Sequence, residues 1–218
     1  MVKDVNLKEI ERKAFRSTFQ DGLWDLFLGL VLLILATCAL LSDAGISESL
    51  TMAFYVAMQA VVLVGFIAGK KLITVPRMGL VKFGPKRKRK LTKVKVVLLI
   101  SVLMGAVLFV VTLFSMHNRP EWLNPALVLG AAWVVNCIVV FSLGAYFLDL
   151  PRLYAYGLLF AIPVPTDILL HKLTDLDLTF IAFGVSALVI LVIGTVMFVR
   201  FLRDYPLPTK EVSNVNAN

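Results

Sequence analysis

Six long apolar runs organise this chain, over residues 23–41, 50–69, 96–116, 125–148, 153–170 and 178–199, with polar gaps between them. Each is close to the ~20 residues that carry a helix across ~30 Å of hydrocarbon at a rise of 1.5 Å per residue. The pattern predicts an all-α polytopic membrane bundle of six transmembrane helices. No gap reaches the roughly 50 residues that an independent soluble domain needs. The expected organisation is a cytoplasmic interfacial segment (1–21), a six-helix transmembrane domain (22–203) with a basic cytoplasmic loop at 70–95, and a cytoplasmic tail (204–218).

The charges give these runs an orientation. Twenty of the twenty-two Lys and Arg residues fall in alternate gaps. Five precede the first run, eleven lie from Lys70 to Lys95, Arg152 follows the fourth run, and Arg200, Arg203 and Lys210 follow the sixth. The other side keeps Arg119 and Lys172. Lys and Arg resist translocation, so both termini and both basic gaps are expected on the cytoplasmic side of the plasma or inner membrane. Five or seven spans would put opposed charge sets on one side. Composition agrees with the membrane class, at 59% hydrophobic residues and a mean hydropathy of +0.88. The net charge of +8 is mostly this topological bias. It points to anionic inner-leaflet lipid as a partner rather than to nucleic acid. Cys38 and Cys137 fall within apolar runs, so no disulfide framework is expected. Thr37 before Cys38 fits a lipoprotein processing site poorly, and the first run is read as a retained anchor.

Two cytoplasmic segments have patterns of their own. Over 6–20, Leu7, Ile10, Ala14 and Thr18 share one side while Lys8, Arg12, Lys13 and Arg16 lie mostly on the other. That is the pattern of an N-terminal interfacial amphipathic helix, although Glu11 interrupts its apolar stripe. The 70–95 segment has no acidic residue. Its β-branched residues flank Pro76-Arg77-Met78-Gly79, which predicts a turn or short hairpin at the membrane surface. Arg77, Lys82, Lys86, Arg87, Lys88, Arg89 and Lys90 are its candidate residues for lipid or partner binding.

The stretch Phe19-Gln20-Asp21-Gly22-Leu23-Trp24-Asp25-Leu26-Phe27-Leu28-Gly29, with Pro76-Arg77-Met78-Gly79-Leu80-Val81-Lys82-Phe83, resembles a group of uncharacterised prokaryotic six-helix integral membrane proteins. The closing Arg200-Phe201-Leu202-Arg203-Asp204-Tyr205-Pro206 fits the same group. The resemblance implies the fold and transfers no activity and no site.

Polar side chains in hydrocarbon are costly, so they mark the first places to look for function. Gln59 and Asn136 stand near the midpoints of the second and fourth runs, as lining of a polar path or as hydrogen-bonded links between helices. Pro163 and Pro165 interrupt the fifth run just before Asp167, freeing carbonyls such as those of Leu159 and Ala161. Transporters bind ions at helices broken in this way, while a kinked helix ending at the outer headgroups gives the same sequence. Gln59, Asn136, Pro163, Pro165 and Asp167 are therefore the candidate transport path. Asp167 and His171 share a helical face, and with His117 and Glu121 they resemble a metal or proton-relay group. Solvated loop residues would have the same spacing, and no resident metal or cofactor is expected.

Asp21 and Asp25, four residues apart at the start of the first run, complement a helix N-terminus or pair with Arg16 or a basic residue of the 70–95 segment. Small-residue spacings at Gly65/Gly69, Ser101/Gly105, Ala126/Gly130 and Ala182/Ser186 are read as helix packing. No Walker phosphate loop, metallohydrolase, serine-hydrolase or Cys-x-x-Cys signature is present. An enzyme is not expected. Two functions remain: a small transporter or channel, with a homo-oligomer as the candidate assembly, and a membrane-embedded interaction or regulatory protein acting through its polybasic loop.

Overall fold

The computed structural model describes residues 19–78, 85–115, 125–174 and 178–206, and every regular element among them is helical. In chain order these are α1 (Leu23–Asp43), α2 (Glu48–Gly69), a π-helical turn (Lys70–Thr74), α3 (Val75–Met78), α4 (Pro85–Ser115), α5 (Pro125–Leu148), α6 (Arg152–Ala161), α7 (Pro163–Thr174) and α8 (Thr179–Asp204). Five helical stretches are long and apolar enough to cross a membrane: Leu23–Asp43, Glu48–Met78, Leu127–Leu148, Arg152–His171 and Thr179–Asp204. The third apolar run forms the later part of α4, and its end at Met116 lies outside the described residues, as do residues 6–18 of the amphipathic segment.

α1 and α8 form the central pair, with α2 against α1, α5 against α6, α4 against α5, and α7 against α8. The α1–α8 seam is close because glycines line it. A Cβ on Gly22 would lie 2.5 Å from the backbone N of Phe198, and one on Gly194 would lie 2.8 Å from that of Leu26. Without hydrophobic driving force between helices in lipid, such close backbone approach supplies the packing. Leu32, Cys137, Tyr156, Phe160, Ala187 and Ile190 fill the core beside it. Of the small-residue pairs, Gly130 packs on Val164 and Ile168, Gly69 packs on Leu23 and Ser186 is buried, whereas Gly65 and Gly105 face open space.

The surface hairpin expected after the second run is absent up to Met78, where the chain stays helical; residues 79–84 lie outside the described part. The helix continues because one extra residue is absorbed as a π turn, in which the Val75 N–H reaches back to the Lys70 carbonyl. Pro76 follows directly after this turn, at the second position of α3. The stretch Glu48–Met78 has 31 residues, or about 46 Å at 1.5 Å each. Its last turns therefore extend beyond ~30 Å of hydrocarbon.

The fifth run stays helical across its prolines rather than unwinding. Ile162, between α6 and α7, is helical at φ −60° and ψ −39°. Its N–H bonds Leu158, and its carbonyl takes the Thr166 N–H at 3.1 Å. The Trp133 indole donates to the Phe160 carbonyl at 2.9 Å, between the two carbonyls that the prolines leave free.

Candidate functional site

The polar side chains that the fold brings together lie at the end of the bundle where α1 starts and α8 ends. Gly22 makes this possible. Its φ of +76° turns the chain sharply into α1, and hydrogen replaces a side chain that would strike α8. Asp21, just before it, is fully buried. One carboxylate oxygen accepts the Leu23 N–H at 3.3 Å. The other accepts Lys70 Nζ and Thr74 Oγ1, both at 2.6 Å. Lys70 and Thr74 begin and end the π turn, and both reach Asp21 at the start of α1.

One turn into α1, Asp25 is also buried and pairs with Arg152 Nε at 3.0 Å. Arg152 opens α6 behind Pro151. Its Nη1 lies 2.9 Å from Met197 Sδ of α8, and its Nη2 donates to the Phe19 carbonyl. Tyr156, one turn further along α6, is buried with its hydroxyl near the second oxygen of Asp25, and neither atom has a well-formed hydrogen bond. Buried charges survive only when paired, and losing one partner costs roughly 3–5 kcal/mol. The two acid–base pairs are therefore strong constraints on how α1, α2, α6 and α8 meet.

Aromatic rings surround this arrangement. Phe66 packs against Trp24 at 4.7 Å and against Phe27 at 5.1 Å, and Lys70 lies over the Phe66 ring. Arg77 of α3 donates to the Tyr205 carbonyl at 2.7 Å and the Leu202 carbonyl at 3.4 Å, satisfying carbonyls that the end of α8 leaves without helical partners. Lys90 of α4 pairs with Asp149 at 3.2 Å. Asp149 itself has φ +57°, and the Leu150 N–H bonds Ala145 behind it, so it occupies the left-handed position that ends α5.

The expectation for Asp21 and Asp25 is met in part. Asp21 does hold the basic segment, through Lys70, but the partner of Asp25 is Arg152. Arg152 and Tyr156 were not anticipated as site residues. The only sequence signal was a basic residue directly after an apolar run, which topology alone explains. Among the candidate lipid-binding residues, Lys88 and Arg89 are exposed, Arg77 is taken up by α8 and Lys90 by Asp149. Lys86 and Arg87 stand in the first turn of α4, and Lys82 lies outside the described residues.

The transport candidates are dispersed. Gln59 is half-buried on α2 and Asn136 half-buried on α5, and these two helices are not among the packed pairs. Asn136 lines an apolar groove with Ser101 between α4 and α5. Pro163 is buried, while Pro165 is exposed along a groove with Gly130. Asp167 accepts Thr179 Oγ1 at 2.6 Å, joining α7 to the start of α8. His117 and Glu121 lie outside the described residues, among which no three His, Cys, Asp or Glu side chains group as a metal site.

Three separate segments of the chain converge here. Asp21, Gly22 and Asp25 come from the first, Arg77 from the second, and Phe201 to Tyr205 from the third. Comparison with family models, curated proteins and solved structures gives no match for the chain.

Proposed function

We propose that this is a six-span protein of the plasma or inner membrane with both termini in the cytoplasm, and that it is a membrane-embedded interaction protein whose basic cytoplasmic segment engages anionic lipid. The observation that supports this role is the fastening of that segment to the bundle at Lys70–Asp21, Arg77–Tyr205 and Lys90–Asp149. A gap that only sets topology needs positive charge and no such attachment. Attachment leaves Lys71, Lys88, Arg89, Lys93 and Lys95 exposed at set positions. Each basic group near an anionic surface contributes roughly 1 kcal/mol of attraction. Transport draws less support, because a path through both Gln59 and Asn136 would need a second copy of the chain.

The test is association of spin-labelled phosphatidylglycerol or phosphatidylcholine with reconstituted protein. The anionic lipid should be preferred, and salt should weaken the preference as the screening length falls to ~8 Å at physiological strength. Replacing Lys88, Arg89 and Lys93 with Gln should remove it. Equal association of both lipids would overturn the reading, and solute-specific uptake into the same vesicles would reinstate transport. For topology, a cysteine at Ser47 should react with an impermeant reagent in sealed cells and one at Lys88 should not.

A further inference from the structure

Asn136 is the twelfth of the 24 residues of α5, about 17 Å from either end of the helix at 1.5 Å per residue. With about 15 Å of hydrocarbon on each side of the bilayer's middle, headgroups and bulk water do not reach that depth. Its amide carries both donors and an acceptor. No hydrogen bond joins that amide to another described residue, and the hydroxyl of Ser101, which lines the same groove, makes none either. The amide is not sealed inside the bundle. Asn136 is half-buried, and Ile100, Met104, Val135 and Val139 along the groove are exposed. The helix beside it is uncovered too. α4 packs on α5, yet every residue from Val102 to Val107 is exposed. A Cβ on Gly105, one turn beyond Ser101, would meet nothing within 4 Å.

The groove between α4 and α5 measures about 170 Å³. It admits side chains of a facing helix but not the helix itself, which is about 10–12 Å across. A lipid chain lying there would leave the amide unbonded, because hydrocarbon offers neither donor nor acceptor. A second copy of the chain supplies both. Copies in one membrane share an orientation, so a twofold axis along the membrane normal sets each residue at the depth of its equivalent. The Asn amide is self-complementary: each one donates an N–H and accepts the other's at its oxygen. We infer that two copies associate through the α4–α5 face, with the Asn136 amide bonded to that of Asn136 of the partner subunit. Met104, Val135 and Val139 pack around the pair, and Gly105 keeps α4 narrow beside it. An amide pair closed in this way joins the copies and lines no path. The association needs no anionic lipid and is independent of the role given to the basic segment.

The experiment is energy transfer between full chains labelled at the C-terminus with donor or acceptor, in neutral phosphatidylcholine vesicles diluted stepwise with the same lipid. Wild type should show transfer above random colocalisation, falling with dilution as a monomer–dimer equilibrium. Asn136→Leu keeps an apolar bulk of similar size without the amide, and should weaken association roughly tenfold, the loss of two interhelical hydrogen bonds. Val139→Trp fills the groove and should weaken it as well, and it stands in for Asn136→Leu if that variant does not fold. Gln59→Leu removes the other mid-span amide, on α2, which is not among the helices packed on α4 or α5, and should associate as wild type does. Transfer no greater than random in wild type overturns the interface, as does unchanged association in a folded Asn136→Leu or Val139→Trp. Equal losses in Gln59→Leu and Asn136→Leu overturn it too, because association would then not run through the Asn136 pair.

Discussion

The two ends of the bundle handle polar groups in opposite ways. At the basic end, Asp21, Asp25, Lys70, Thr74 and Arg152 form pairs across three parts of the chain, and both carboxylates are buried. At the other end Asp43, Ser47 and Glu48 are exposed, and the hydrogen bond between side chains there, among the described residues, joins Thr179 to Asp167. A buried pair cannot exchange its partner for water, so one end is held in a single geometry. At the other, Asp43 and Glu48 stand in solvent, where an ion pair contributes about 0–1 kcal/mol.

Two glycines give the comparison its largest test. Gly22 and Gly45 have nearly the same left-handed backbone, at φ +76° and +78°. An added Cβ at Gly45 meets nothing within 4 Å, while one at Gly22 meets the Phe198 backbone at 2.5 Å. Gly45→Ala should therefore cost only the conformational term, about 1–2 kcal/mol. Gly22→Ala should exceed about 4 kcal/mol, because α1 and α8 must separate and take the acid–base pairs with them. Thermal unfolding of both variants in detergent measures this, and equal losses would show that the seam does not hold the basic end.

Next in size are the acids. Asp21→Ala strands Lys70 and Thr74 in a buried place and should cost roughly 3–5 kcal/mol. Glu48→Ala, exposed in the first turn of α2 at the other end, should stay within about 0.5 kcal/mol. Asp25 and Arg152 should be coupled. Asp25→Asn and Arg152→Gln each leave an unbalanced partner, so the double variant should lose less than the sum, by about 0.5–3 kcal/mol. Additive losses would mean that Arg152 is held by Phe19 and Met197 rather than by Asp25.

Much of the other end was legible in sequence, because its described residues include helix ends with exposed polar side chains such as Asp43, Ser47 and Glu48. The fifth span, with its prolines, reads as a helix interrupted there, and the joint between α6 and α7 falls at Ile162. At the basic end the spacing of Asp21 and Asp25 marked two acids at the start of the first span, and the nearby basic gap supplied a partner for Asp21 alone. Periodicity could not show that a π turn would bring in Lys70 and Thr74, since 70–78 reads as a turn to any local rule. Nor could it select Arg152, which is 127 positions from Asp25 and marked only as a topological charge. The helix seam was hidden for a related reason. Gly65 and Gly105 have textual spacing identical to that of packing glycines, yet Gly22, Gly29 and Gly194 make the close approaches, and that depends on which helices meet.

The smallest expected effect sharpens the contrast furthest. Asp167→Asn keeps the shape of the side chain and an oxygen to accept Thr179 Oγ1. Its stability should change by no more than about 0.5 kcal/mol. Asp25→Asn makes the same chemical change at the other end but leaves Arg152 without its counter-charge, and should cost several times as much. If the protein acts through its basic end, uptake per unit of folded protein should be the same for Asp167→Asn and wild type across ions and small metabolites. A solute whose uptake falls in Asp167→Asn, with unfolding unchanged, would move the function to the proline-bearing span and leave the acid–base pairs as its scaffold. Pro163→Ala separates the acid from the prolines: it restores a backbone donor beside the free Leu159 carbonyl without touching Asp167. Loss of uptake in Asp167→Asn alone would assign the path to the carboxylate, whereas loss in both would require the free carbonyl as well.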